Sequence, residues 1–192
     1  IIAATHTADF SVRFGRKVRN LIDAESFKSV FSNVTLRADS KAAGRWDVSG
    51  GGEYFAVGVG GAMTGRGADL LIIDDPHSET AGINPSLDYF DSVYEWYASG
   101  PRQRLQPGGA IIIVMTRWHE LDLTGHILQS SEERKGSDQW EVIQLPALYE
   151  DGEPLWPDFW SKAELDALKA ELPISKWSAQ YQQQPTSEEG AL

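Results

Sequence analysis

Three short, continuous apolar runs stand out along the chain: Ile1 to Ala4, Ala68 to Ile73 with only Asp69 interrupting it, and Ala110 to Met115. Runs of this length without alternation predict strands buried on both faces, as in a parallel sheet covered by helices. Each is followed by a polar or charged residue and then a helix-like segment, which is the βα rhythm of an α/β domain. After the first run, Thr7 is placed to cap a helix with Phe10, Phe14, Val18, Leu21 and Ile22 on one face. Arg13, Arg16, Lys17 and Arg19 fall largely on the rest, where they form either a solvated helix face or a local contact for an anion or DNA. Arg45 to Val48 and Glu53 to Val59, joined by Ser49-Gly50-Gly51-Gly52, predict a hairpin.

Further on, Asn84 to Ala98 carries an apolar stripe of Leu87, Phe90, Val93, Tyr94 and Tyr97 and predicts a helix that Gly100-Pro101 stops. Leu123 to Leu128 predicts a short helix, and Trp140 to Leu145 a further strand. Ser161 with Glu164 is a capping box, opening a helix with Leu165, Leu168 and Leu172 on its inner side until Pro173. A last helix is predicted over Lys176 to Gln183.

Composition narrows the classes. The 192 residues suffice for one well-cored domain, and 41% hydrophobic with 23% charged is ordinary for a globular protein. No apolar run approaches the roughly 18 residues of a membrane span, so no membrane partner is expected. The absence of cysteine excludes disulfides, thiolate metal sites and thiol nucleophiles. A net charge of -11 repels nucleic acid overall, so any contact with DNA must come from a local basic patch. The chain starts without Met in an apolar stretch, which suggests a piece of a longer protein.

Residues 60 to 75 read GGAMTGRGADLLIIDD, and the first eight nearly spell the phosphate-binding pattern G-x-x-x-x-G-K-[ST]. Such a loop joins a strand to a helix, whereas a strand follows here. Arg66 and Gly67 also replace the lysine and the hydroxyl, so the phosphate-cradle reading fails. The right-hand end is more telling: Leu70 to Ile73 deliver Asp74 and Asp75 to the carboxyl end of a strand, where open α/β sheets bind ligands. An apolar strand ending in two acids is the Walker B pattern, in which the first carboxylate holds magnesium and the second acts on the attacking water. Two adjacent carboxylates repel one another, and a divalent cation relieves that repulsion.

Other motifs give less. His119-Glu120 begins like H-E-x-x-H, but the fifth position is Leu123, so a zinc site is discarded. His77 is expected to face solvent in a loop. There is no G-x-S-x-G elbow, and the seven scattered tryptophans are expected mostly to fill the core or its rim.

In combination, TADFSVRFGRKVRNLI (7 to 22), GGAMTGRGADLLIIDDPHS (60 to 78), VMTRWHELDLTGHIL (114 to 128) and WSAQYQQQPTSEEG (177 to 190) resemble the ATPase domain of the terminase large subunit of tailed bacteriophages. The resemblance implies a P-loop NTPase fold of the ASCE type, a three-layer αβα sandwich with a mostly parallel sheet. It implies a partial ATPase domain over 1–192, with the core in 1–130 and 131–192 leading towards a nuclease domain, while the phosphate-binding loop belongs upstream of Ile1. It implies Asp74 as the magnesium ligand and Asp75 as the catalytic acid, a position usually held by Glu in the family. Arg66 falls where an arginine finger serves a neighbouring subunit, and its alternative is a surface charge in a glycine-rich turn. Thr116 with Arg117 and Trp118 resembles the coupling motif that senses the γ-phosphate.

The function implied is ATP- and Mg2+-dependent translocation of double-stranded DNA into a procapsid, with the segment alone inactive for want of the loop. The partners implied are the portal protein, the small terminase subunit and further copies in a ring, in the host cytoplasm at the procapsid portal. A helicase-like motor and a non-catalytic assembly or binding domain of P-loop fold remain as alternatives.

Overall fold

The computed structural model describes residues 1–80 and 86–186. The elements in order are β1 (Ile2–Thr5), α1 (Ala8–Asp23), α2 (Glu25–Val30), β2 (Leu36–Ala42), β3 (Arg45–Val48), β4 (Glu53–Gly58), β5 (Ala68–Asp74), α3 (Leu87–Ser99), β6 (Leu105–Val114), α4 (Leu123–Glu133), α5 (Lys162–Glu171) and the short α6 (Ile174–Lys176). Two compact units result, one of Ile1–Ser78 with Glu95–Met115 and one of Glu79–Tyr94 with Thr116–Leu192. Among the described residues no helix is long and apolar enough to cross a membrane.

The first unit holds a six-stranded sheet in the order β2-β3-β4-β1-β5-β6. β1 pairs in parallel with both β4 and β5, and β5 in parallel with β6, while β2, β3 and β4 form an antiparallel meander. The predicted hairpin is therefore present, and β2 adds a strand that the sequence pattern does not announce. Its residues, LRADSKA, are too polar to register as an apolar run.

The three apolar runs are strands, but they are not equally buried. All four residues of β1 are buried, as predicted. β6 begins at Leu105, five residues before its apolar run, and lies at the edge of the sheet, where Ile112 and Val114 are exposed. Continuity of apolar residues marks a strand; only its neighbours decide whether both faces are covered.

The helix after β1 corrects its expected inner face. Phe10, Phe14, Val18 and Leu21 are exposed, and Ser11, Gly15 and Ile22 face the core. The reason is size. Trp46 and Tyr54 stack on each other with ring centroids 5.0 Å apart, and they reach the helix backbone. The Trp46 indole donates to the Gly15 carbonyl at 3.1 Å, and the Tyr54 hydroxyl donates to the Ser11 carbonyl at 2.6 Å. Only small residues fit over these rings, so the helix turns its smallest side chains inward. Desolvation in this contact pushes the Tyr54 phenol up to about 12. Thr7 holds the N-cap position, but its side chain makes no capping bond. Thr5 does that work instead: its hydroxyl donates to the Thr7 carbonyl at 2.5 Å and accepts from the Ser11 amide at 3.2 Å.

The predicted helix over 84–98 is found as α3, of the second unit as far as Tyr94 and of the first from Glu95, with Phe90 and Val93 buried; residues 81–85 lie outside the described residues. A single 3-10 turn, Pro101–Arg104, follows Gly100 in the first unit. The Ser161 and Glu164 capping box forms as predicted, and Leu165 packs with Leu148 and Trp177. The expected final helix is a turn at Ile174–Lys176 running into a π-turn at Trp177–Tyr181. Trp140 to Leu145 forms no strand, and Val142, Ile143 and Leu145 are exposed. A β-pattern needs a neighbouring strand to pair with, and among the described residues none is offered to it.

A Cβ added at Gly15 would lie 2.3 Å from Tyr54 Cε1, far closer than two carbons in van der Waals contact can approach. Gly15→Ala is therefore expected to destabilise the first unit by about 1–3 kcal/mol despite the better helix propensity of alanine, as overpacking typically does. Urea unfolding followed by tryptophan fluorescence checks it.

Candidate functional site

Parallel pairing on both sides of β1 brings the strand ends to one edge. Ala4 lies beside Ile73, Thr5 beside Gly58, and Asp74 beside Val114. Asp74 is the last residue of β5, half-buried, and Asp75 follows it into solvent. The Asp75 backbone fastens the edge together, its amide donating to the Val114 carbonyl at 2.9 Å and its carbonyl accepting from the His6 amide at 3.1 Å. Both bonds are made in a left-handed conformation, with φ of 43°. Non-glycine residues rarely adopt that region, and where they do the strain is concentrated at functional sites.

Asp74 has a carboxyl pKa above its ordinary 3.8, through burial first and the neighbouring Asp75 charge second. This is the electrostatic condition that a bound cation relieves. Magnesium takes oxygen ligands and keeps several waters, with only one or two carboxylates from the protein, so the Asp74–Asp75 pair fits it. Among the described residues there is no larger group of His, Asp or Glu set to hold a metal. The stretch 60–67 runs from β4 into β5 with no helix after it, so these residues supply no phosphate cradle.

Arg66 is engaged elsewhere. Its guanidinium pairs with Glu53, which also binds Arg45 at 3.2 Å, and lies 3.9 Å from the centroid of the Phe55 ring. Glu53 starts β4, at the amino edge of the parallel strands, whereas Asp74 ends β5 at the carboxyl edge. Within one chain the structure does not bring Arg66 to the acids. His77, expected in solvent, is buried at 3% exposure next to the buried Pro76, because the chain leaving the acids turns inward.

Thr116, Arg117 and Trp118 belong to the second unit, where a residue that the sequence reading passed over organises them. Asp122 is fully buried and is the N-cap of α4, accepting from the Gly125 amide at 3.0 Å. The same carboxylate accepts from the Trp118 amide at 2.9 Å and from Arg117 Nε at 2.9 and 3.0 Å. Arg117 is thus a clamp on its own loop, and its backbone amide also donates to Gln183 Oε1 at 3.3 Å. The signal was present: an aspartate directly before LTGHIL is an N-cap pattern. Gly125 allows the fold-back, since a Cβ there would lie 1.7 Å from the Glu120 carbonyl oxygen.

The class of domain is now defined: a mixed α/β fold with a mostly parallel sheet and paired acids at the carboxyl edge of an inner strand. Among solved structures, it is similar to the crystal structure of the HK97 bacteriophage large terminase, with a TM-score of 0.57 and 12% identity, over 96% of this chain and 39% of that one. At that identity the likeness is one of fold, and the chain spans well under half the length of the terminase it matches. No protein-family model matches the chain, and no curated protein does.

Two outcomes follow. Asp122→Ala leaves the Arg117 guanidinium buried without its partner and is expected to cost about 3–5 kcal/mol, measured by chemical denaturation. For Asp74, a raised carboxyl pKa means that the folded chain holds the proton more tightly than the unfolded chain does. The stability this confers is full below the ordinary value of 3.8 and is lost as pH rises through the raised pKa. Asp74→Asn should accordingly match the wild type at low pH and become the more stable of the two towards neutrality, as read from melting temperatures across a pH series.

Proposed function

We propose that this chain is part of the ATPase domain of a DNA-packaging motor of the terminase large-subunit kind, with a P-loop NTPase architecture. The observation that supports it best is the Asp74–Asp75 pair at the carboxyl edge of a parallel strand, in a fold similar to the HK97 large terminase over 96% of the chain. Asp74 would hold Mg2+, and Asp75, exposed just beyond the strand end, would take the proton from the attacking water. Bound Mg2+ supplies positive charge to the phosphate oxygens of ATP. Two to four orders of magnitude is the usual scale of such general-base assistance.

Thr116 to Trp118 relay the state of the nucleotide site, with Arg117 and Asp122 keeping that loop in shape. Arg66 acts on a neighbouring copy, which requires that it leave Glu53 and Phe55. Double-stranded DNA is the substrate moved, the portal protein and the small terminase subunit are the partners, and a ring of copies works at the procapsid portal in the host cytoplasm.

The test is Asp75→Asn in the complete protein. Asparagine tolerates the left-handed backbone, so the fold is expected to survive. ATP hydrolysis should fall roughly 10²- to 10⁴-fold while ATP binding, measured by calorimetry with Mg2+, persists. Turnover at the wild-type rate would remove Asp75 from this role.

A further inference from the structure

Two exposed patches do not fit the rest of the surface. The first is the outer face of α1, where Phe10, Phe14, Val18 and Leu21 are 41 to 56% exposed in a row. Arg13 and Lys17 lie over the rings of Phe10 and Phe14, at 5.9 and 5.8 Å from their centroids, and Arg16 stands beside them. The chain has 28 acidic residues to 17 basic ones, so cations here have no shortage of potential partners. Yet among the described residues none of these three forms an ion pair.

The second patch has the opposite charge. In residues 149–160, Trp156 and Phe159 are 61% and 64% exposed, and Tyr149 and Trp160 are exposed with them. Glu150, Asp151, Glu153 and Asp158 surround these rings, are exposed, and among the described residues pair with no cation. The platform is preformed. Trp156 stacks on Phe159 with centroids 5.0 Å apart, and the Trp156 carbonyl accepts from the amides of Phe159 and Trp160 at 3.0 Å. The Tyr149 amide donates to the Glu153 carbonyl at 2.9 Å, closing the acidic turn.

We propose that these two surfaces are the halves of one interface between copies of this chain, the basic aromatic face of α1 on one copy docking on the acidic aromatic platform of the next. Each side offers what the other lacks: unpaired cations against unpaired carboxylates, and a ridge of apolar side chains against exposed rings. Large exposed apolar patches mark interaction sites, and aromatic residues with arginine dominate the energetics of such interfaces. Charge complementarity fixes the partner and the register. Because the two patches differ, the contact is head-to-tail and generates a ring or an open filament rather than a closed symmetric dimer. The inference concerns the same assembly as the proposed function but rests on surface composition alone, so it stands apart from the nucleotide chemistry.

Sedimentation velocity of the 192-residue chain without nucleotide tests it. The wild type is expected to self-associate, and less so as salt screens the charges. The double substitutions Arg13→Glu with Lys17→Glu, and Asp151→Lys with Asp158→Lys, should each weaken association about tenfold or more while leaving the circular dichroism spectrum unchanged. Mixing the two double variants should restore it, since each then meets a face of opposite charge. A wild type that stays monomeric, or association that survives both swaps and high salt as edge pairing along β6 would, overturns the proposal. So does a mixture that fails to recover.

Discussion

β1 is only four residues long, yet it carries a parallel neighbour on each side, and that double pairing is the constraint on which the first unit depends. A strand enclosed in this way can hold no charge along its length, and Ile-Ala-Ala-Thr meets that demand with a single hydroxyl at its last position. Parallel neighbours also run in one direction, so the ends of β4, β1, β5 and β6 emerge together. The edge they form is where Thr5 steers the chain into α1 and where Asp75 hydrogen-bonds to both sides. The position of the acids thus has one cause: they leave β5 at the edge where β4, β1 and β6 also end because the sheet is parallel around β1.

A different solution governs the second unit. There a single buried carboxylate, Asp122, gathers the amides of Trp118 and Gly125 and the guanidinium of Arg117. A buried charge is tolerated only when its hydrogen-bonding capacity is filled, and this one is filled by groups from both sides of a tight turn. The loop between β6 and α4 therefore has a fixed shape without a long stretch of regular structure. The relay role proposed for this loop would need such a stiff segment, because a loose loop would absorb the displacement it is meant to transmit.

Much of the strand framework was legible because apolar runs and glycine turns are local signals. The paired acids were legible for the same reason, since the strand that ends in them is contiguous in sequence. What escaped were properties that depend on size and on neighbours. α1 has a clear apolar stripe, but periodicity cannot tell that Trp46 and Tyr54 leave room only for Ser11 and Gly15. β2 is held by its meander partner rather than by its own hydrophobicity. The inward turn of His77 and the engagement of Arg66 by Glu53 depend on residues brought close only by the fold.

The left-handed backbone at Asp75 bears on the letter found there. A glutamate would carry an extra methylene into a conformation that tolerates few side chains, whereas aspartate is one of the residues able to occupy it with a short polar group. The acid that follows this strand thus suits the peptide geometry that ties β1 to β6 as well as the reaction proposed for it.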